Sequence, residues 1–197
     1  MKEYMRLESD SIGTMEVPED AYYGVQALRA KENFPITGTR LHPVFIKNLA
    51  KIKRAAAITN RKAGRLKPEI ANAIESECNE VVCGMFDKEF IVDGIQGGAG
   101  TSANMNMNEV IANRAIEMLC GKKGDYTIVH PNDHVNMAQS TNDVIPTAGK
   151  LTVLDLLKPL DKSLSLLDDA LFEKSKEFDH IVKIGRTQLE DAVPMRL

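Results

Sequence analysis

The sequence predicts a mainly α protein in which a mixed N-terminal helical domain (residues 1–143) is followed by the first long helix of a central helical-bundle domain (residues 144–197). Three observations carry this expectation. Only 5% of the 197 residues are aromatic, Trp is absent and Met occurs 9 times, a profile of helix packing rather than of sandwiches or barrels. Apolar residues recur at helical spacing, and the breaks between the periodic stretches carry Gly or Pro. Near the C-terminal end, Val153, Leu157, Leu160, Leu164, Leu167 and Leu171 advance in alternating steps of 4 and 3, the seam of a helix packed among helices.

Residues 1–40 mix charges with turn formers and read as an irregular arm with short strands and one short helix. Pro43, a good first helical residue, opens a helix with Phe45, Ile46, Leu49, Ile52 and Ala56 on its apolar side, and Gly64 stops it. A second helix runs from Pro68 towards Cys78 and Val82, antiparallel to the first. Glu89-Phe90-Ile91-Val92 looks strand-like and leads into the glycine loop 94–100; Thr101 then starts a helix that reaches about Leu119. Tyr126–Val129 reads as a short extended piece, and the polar stretch 130–143 has the composition of a site loop. From about Val144 to Phe178 a single helix would extend about 50 Å, kinked or locally broken at Pro159. Leu151, Leu154 and Leu166 fall on a second apolar face, so the bundle should be completed by residues beyond 197, by other subunits, or by both. The chain stops at Pro194-Met195-Arg196-Leu197 with no polar tail, which reads as an interrupted sequence.

Composition excludes several classes of function. With 43% apolar residues the chain can bury a core, which rules out disorder. Lys plus Arg number 25 against 28 Asp plus Glu, so there is no basic field for nucleic acid or for an anionic membrane. No signal peptide opens the chain and no apolar run is long enough to span a bilayer. Three cysteines, an odd number in helical-looking segments, suggest reduced thiols and a cytoplasmic protein, and the pair Cys78 and Cys83 reads as core.

Three polar clusters stand out. Gly98, Gly100 and Ala103 satisfy a G-x-G-x-x-A pattern, yet no Lys follows as in a P-loop, and no acidic residue stands where a dinucleotide ribose would need one. Asn104, Asn106, Asn108 and Asn113 crowd the following helix although Asn competes for backbone hydrogen bonds, and Thr101, Asn104, Asn108 and Ala112 share one face. They either satisfy a buried helix or, with the free amides of a positive helix terminus, hold a carboxylate or phosphate. In the second cluster His130, Asp133 and His134 are metal-ligand types, but their spacing matches no strong zinc pattern and the loop lacks a clear fourth ligand, so no metal site is expected. Ser140, Thr141 and Asn142 offer two hydroxyls and an amide just before the long helix, to cap it or to bind a small acid. The third cluster, 183–192, is either a charged turn after a helix or part of a site.

Together these clusters, with Tyr22-Tyr23-Gly24-Val25-Gln26-Ala27-Leu28-Arg29-Ala30-Lys31-Glu32-Asn33-Phe34, resemble the aspartase and fumarase superfamily over the whole chain in order. The resemblance implies a mixed but mainly helical first domain, a long-helix bundle, a homotetramer, active sites shared among three subunits, and a dicarboxylate substrate with no required cofactor. Ala99 and the triplet Ser140-Thr141-Asn142 look like the aspartase branch, since fumarases generally place Ser at the first position and two serines before the Asn. The implied reaction is reversible elimination of ammonia from L-aspartate to give fumarate; fumarate hydration, or a non-catalytic assembly role, is the alternative.

By the same resemblance Thr101, Ser140 and Thr141 hold the β-carboxylate, Thr187 the α-carboxylate, and Asn142 with Thr101 the amino group. His130, Asn132 and Asp133 match a secondary anion site of fumarases. Gln188 departs from the His that fumarases and many aspartases carry; an amide cannot titrate, so at most it orients the substrate. The general base of the family is a Ser on a mobile loop expected downstream of residue 197, so no catalytic base is expected within this sequence, and activation by a divalent cation is not legible in it.

Overall fold

The computed structural model describes residues 4–197. Strands β1 (Met5–Asp10) and β2 (Gly13–Pro18) form an antiparallel hairpin in which Met5 faces Pro18 and Asp10 faces Gly13. Helices α1 (Val25–Asn33), α2 (Pro43–Lys62), α3 (Pro68–Val82) and α4 (Thr101–Met118) follow, then the long α5 (Thr141–Phe178). Strands β3 (Val182–Thr187) and β4 (Glu190–Arg196) close the chain as a second antiparallel hairpin. The chain divides into two compact units, one ending at Thr152 and the other running from Val153 to Leu197.

In the first unit, Pro43 and Pro68 sit at the first turns of their helices, where a missing N–H costs nothing. The pair α2 and α3 is antiparallel, with Arg54 reaching Asn79 and Arg61 reaching Asn72. The main core joins Ile46 and Leu49 of α2, Ile74, Cys78 and Val81 of α3, and Met107, Ile111 and Ile116 of α4. Helix α4 is buried on nearly every side, polar residues included. Its Asn113 accepts from the Gly124 amide and donates to the Tyr22 carbonyl. Its Glu109 accepts from the backbone N–H groups of Gly24, Gln26 and Ala27, and so caps α1 from across the fold. Burial is the largest influence on Glu109 and pushes its carboxyl up to about 7 against those three amides. Gly24 admits this approach, because a Cβ there would lie 2.5 Å from the Tyr126 hydroxyl and 2.8 Å from Glu109 Cδ.

Several expectations are corrected. Glu89–Val92 is not a strand: a 3₁₀ turn covers Asp87–Glu89, and the Asn106 side chain bonds the Ile91 N–H and the Glu89 carbonyl where a neighbouring strand would have served them. Tyr126–Val129 is a turn rather than an extended piece, held by Ile128 N–H to the Asp125 carbonyl and by the Thr127 hydroxyl to the Asp125 carboxylate. Of the kink or local break expected at Pro159, the break does not occur: α5 is continuous there, and the residues beside the ring are exposed to solvent. Cys83 is exposed, unlike Cys78.

In the second unit the hairpin replaces what sequence alone offered as a charged turn, with a register shift between Ile184 and Arg186. Along α5 the seam residues Leu157, Leu160, Leu164, Leu167 and Leu171 are exposed, and so are Leu154 and Leu166. Among the described residues no helix is long and apolar enough to cross a membrane.

Glu77 supplies a stability test. It is fully buried on α3, among the described residues neither of its oxygens has a hydrogen-bond partner, and desolvation, then the Glu80 charge, raises its carboxyl to about 9 against the smaller opposing effect of the Arg114 guanidinium 3.9 Å away. A carboxyl whose folded pKa exceeds its unfolded value binds its proton more tightly in the native state, so it subtracts stability as pH rises from the ordinary carboxylate range towards 9. Glu77→Gln should therefore raise the melting temperature by several degrees at pH 8 and hardly at all near pH 5, measured by circular dichroism; an equal shift at both values would show that Glu77 is ionised in the fold.

Candidate functional site

Two helix N-termini meet in the first unit. The glycine loop enters α4 through Gly98 and Gly100, whose φ values of 71° and 88° lie in the left-handed region that disfavours a side chain. Gln96 accepts from the Ala103 N–H at 2.7 Å. Among the described residues the backbone N–H groups of Thr101 and Ser102 have no protein acceptor, and the Thr101 side chain is exposed beside them. Such a terminus presents donors and a partial positive charge to an anion.

Helix α5 starts at Thr141, against the same place. A Cβ on Gly100 would come within 2.8 Å of Ile145 Cγ2, so only glycine lets the first turn of α5 pack on the entrance to α4. Asn104 Nδ2 then donates to Thr141 Oγ1 at 3.2 Å, tying the two helices together. Of the three polar residues ahead of α5, Ser140 does the capping, its Oγ accepting from the Asn142 N–H at 3.2 Å. Each hydroxyl, Ser140 and Thr141, therefore already accepts one N–H from the protein and keeps its own proton to donate. Asn142 is exposed at the same end of α5. The site thus gathers Thr101, Ser140, Thr141 and Asn142 at two adjoining positive helix ends, which suits a carboxylate.

The crowded asparagines divide between two tasks. Asn106 and Asn113 are spent on backbone groups of neighbouring loops and are structural. Asn104 faces the α5 terminus, and its Oδ1, like that of Asn108, is buried with no hydrogen-bond partner among the described residues. Beneath the site, the wholly buried Lys53 of α2 bonds Asn136 of the 130–140 loop at 2.7 Å. Burial is the main cause that lowers its ammonium to about 7, against a smaller opposing effect of Cys78. Asn136 lies in the polar 130–143 stretch with no role assigned from sequence, and Lys53 is a residue that sequence reading missed. The available signal was a lysine in the stripe Ile46, Leu49, Ala50, Ala57, where a buried charge needs a reason.

His130, Asn132 and Asp133 stand apart. His130 caps the π-helical turn Pro131–Val135, its Nδ1 accepting from the backbone N–H groups of Asn132 and Asp133 at 3.2 Å, while its backbone N–H donates to His134 Nδ1 at 2.8 Å. Burial lowers the His134 imidazole. His130 and Asn132 line a cavity of about 480 Å³ together with Ser9, Asp10, Gln26, Glu109 and Tyr126, and Asp133 is exposed. Among the described residues no group of three His, Cys, Asp or Glu side chains is placed to hold a metal ion.

Thr187 and Gln188 belong to the second unit. Thr187 ends β3 opposite Glu190, and Gln188 takes the first turn position with φ 37°, a conformation that Gly or Asn would adopt more cheaply.

Comparison with known proteins adds the following. A family model described as Lyase matches residues 13–197. The aspartate ammonia-lyase of Bacillus subtilis strain 168 is 52% identical over 196 residues, covering 100% of this chain and 41% of the relative. The class II fumarate hydratase of Halobacterium salinarum is 50% identical over 198 residues, covering 100% of this chain and 42% of the relative. Among solved structures, the fumarate lyase:delta crystallin of Brucella melitensis superposes with a TM-score of 0.91 at 48% identity, covering 98% of this chain and 46% of that one. The chain thus spans less than half the length of the relatives it matches.

The packing of Gly100 on Ile145 is open to test. Gly100→Ala combines a left-handed backbone with a collision and should destabilise by about 2 kcal/mol in urea unfolding; adding Ile145→Ala should relieve the steric part only. A Gly100→Ala loss that Ile145→Ala does not relieve at all would mean that the two helix ends do not touch.

Proposed function

The chain belongs to the lyase family, and on that premise we propose that it contributes the carboxylate-binding residues of an aspartate ammonia-lyase, which converts L-aspartate to fumarate and ammonia. The observation that carries this reading is the meeting of the α4 and α5 termini, with the hydroxyls of Ser140 and Thr141 free to donate.

The chemistry asks for that arrangement. Removing a proton from Cβ of aspartate sends the C–H electron pair into the neighbouring carboxylate, which becomes a doubly charged aci-carboxylate. Collapse of that intermediate forms the Cα–Cβ double bond and expels the amino group with the C–N electron pair. Donors that are already oriented stabilise the charge as it develops, and each can be worth about 3 kcal/mol of barrier. Thr101, Ser140 and Thr141 take this role at the β-carboxylate, Thr187 binds the α-carboxylate, and Asn142 with Thr101 holds the amino group. Gln188 orients the substrate without exchanging a proton. The base that takes the Cβ proton is a serine outside these residues. His130, Asn132 and Asp133 form a secondary anion site.

Residues 1–143 serve as the lyase domain and 144–197 begin a bundle, whose exposed leucine seam on α5 is covered in a homotetramer with active sites shared among three subunits. Free cysteines fit a cytoplasmic setting. The relative named fumarate hydratase supports a second reading, hydration of fumarate. Gln188 weighs against it, because an amide cannot relay a proton.

Ultraviolet absorbance of fumarate, followed with aspartate or with malate offered to the complete encoded protein, separates the two readings: aspartate alone should be turned over, and activity on malate alone would establish the hydratase. Thr101→Val should keep the fold and lower kcat/KM for aspartate by about 10²–10³-fold; unchanged kinetics would reduce Thr101 to a residue of helix geometry.

A further inference from the structure

Lys53 is an expensive residue to bury. It is 0% exposed, and among the described residues its ammonium donates to Asn136 Oδ1 at 2.7 Å and pairs with no carboxylate. A lone buried ammonium usually costs stability, so its position calls for a compensating role.

The hydrogen bonds around it run in one sense only. An ammonium has donors and no acceptor, so the Asn136 amide must turn its oxygen towards Lys53 and its nitrogen away, where Nδ2 donates to the Gln139 carbonyl at 3.2 Å. Asn136 Oδ1 also receives Asn104 Nδ2 at 3.2 Å. Asn104 must therefore present its NH₂ to this region, and the same nitrogen donates to Thr141 Oγ1 at 3.2 Å. A threonine hydroxyl that accepts from Asn104 has its proton left to point elsewhere. Were Asn104 turned over, its oxygen would draw the Thr141 proton inwards and leave a lone pair facing an incoming carboxylate.

We propose that Lys53 is a positioning residue for the carboxylate site, fixing through Asn136 and Asn104 the orientation in which the Thr141 hydroxyl donates outwards. This rests on the reading of Thr141 as a carboxylate ligand and extends it to a residue that touches no substrate. It accounts for a charge in the apolar stripe of α2 and for the asparagines at 104 and 136, which relay a direction rather than a charge.

The test is a double-mutant cycle in the complete encoded protein, read as the dissociation constant of succinate by calorimetry and as KM for aspartate. Lys53→Met keeps the length of the side chain and removes a buried charge, so its melting temperature should not fall. It should weaken succinate binding about tenfold, the worth of one well-directed hydrogen bond, and raise KM in parallel. A merely structural defect would shrink the active fraction and lower kcat without moving either constant. In a Thr141→Val background the Lys53→Met loss should drop below about twofold, because the hydroxyl it orients is gone. Asn136→Leu, which leaves Lys53 in place, should reproduce the loss and the non-additivity if Lys53→Met does not fold. A full tenfold loss in both backgrounds, or no loss in the first, overturns the proposal. If the wild type binds succinate with this coupling but releases no fumarate from aspartate, the proposed reaction fails and the positioning role stands. If it binds no succinate, both fail.

Discussion

The burial of α4 is the constraint on which the first unit depends. A helix enclosed on nearly all sides cannot leave polar groups to water, yet this one carries Asn104, Asn106, Asn108, Glu109 and Asn113 at 2% exposure or less. Most must find protein partners, and the partners they find decide where other segments lie. Asn106 takes over the backbone of the 89–91 segment. Asn113 joins Tyr22 to Gly124, and Glu109 caps α1. Asn104 reaches the loop before α5 and the first residue of α5 itself. Hydrophobic contact with α2 and α3 supplies the bulk of the burial, but it has no direction. The buried amides supply the direction.

The site is a consequence of that arrangement. Because Asn104 holds Thr141, the α5 terminus lies against the α4 terminus, and two positive helix ends act on one region. Gly100 permits the contact by having no side chain to strike Ile145. On the proposed reading these donors are already oriented by the fold, the condition under which they would stabilise developing charge without reorganisation. Lys53 extends the same logic downwards: a donor-only group at one end of a chain of amides settles which way every amide faces.

How far the sequence could be read follows from what each signal depends on. The four longer helices were legible because their apolar spacing, initiating prolines and stopping glycines are local properties. The segments at 89–92 and 126–129 were misread as extended because a short apolar run does not disclose whether a partner strand exists. Here Asn106 and Asp125 satisfy the backbone instead. The hairpin of β3 and β4 was missed since charged, exposed strands lack the alternation that marks a half-buried sheet. At the site, the asparagine excess was visible in the sequence. Its division into structural and site-facing residues was not, because that depends on contacts between positions such as 104 and 141. Lys53 was hidden because a lysine in a helix is ordinarily solvated, and only burial exposes its anomaly.

The central claim, that the adjoining ends of α4 and α5 form a carboxylate site, is tested most directly by a crystal structure of the complete encoded protein with succinate bound. One carboxylate should lie between the Thr101 and Thr141 hydroxyls, within hydrogen-bond distance of both, with Asn104 Nδ2 still on Thr141 Oγ1. A ligand found only in the cavity beside His130 and Asn132, with the Thr101 and Thr141 hydroxyls bonded to water alone, would contradict the account.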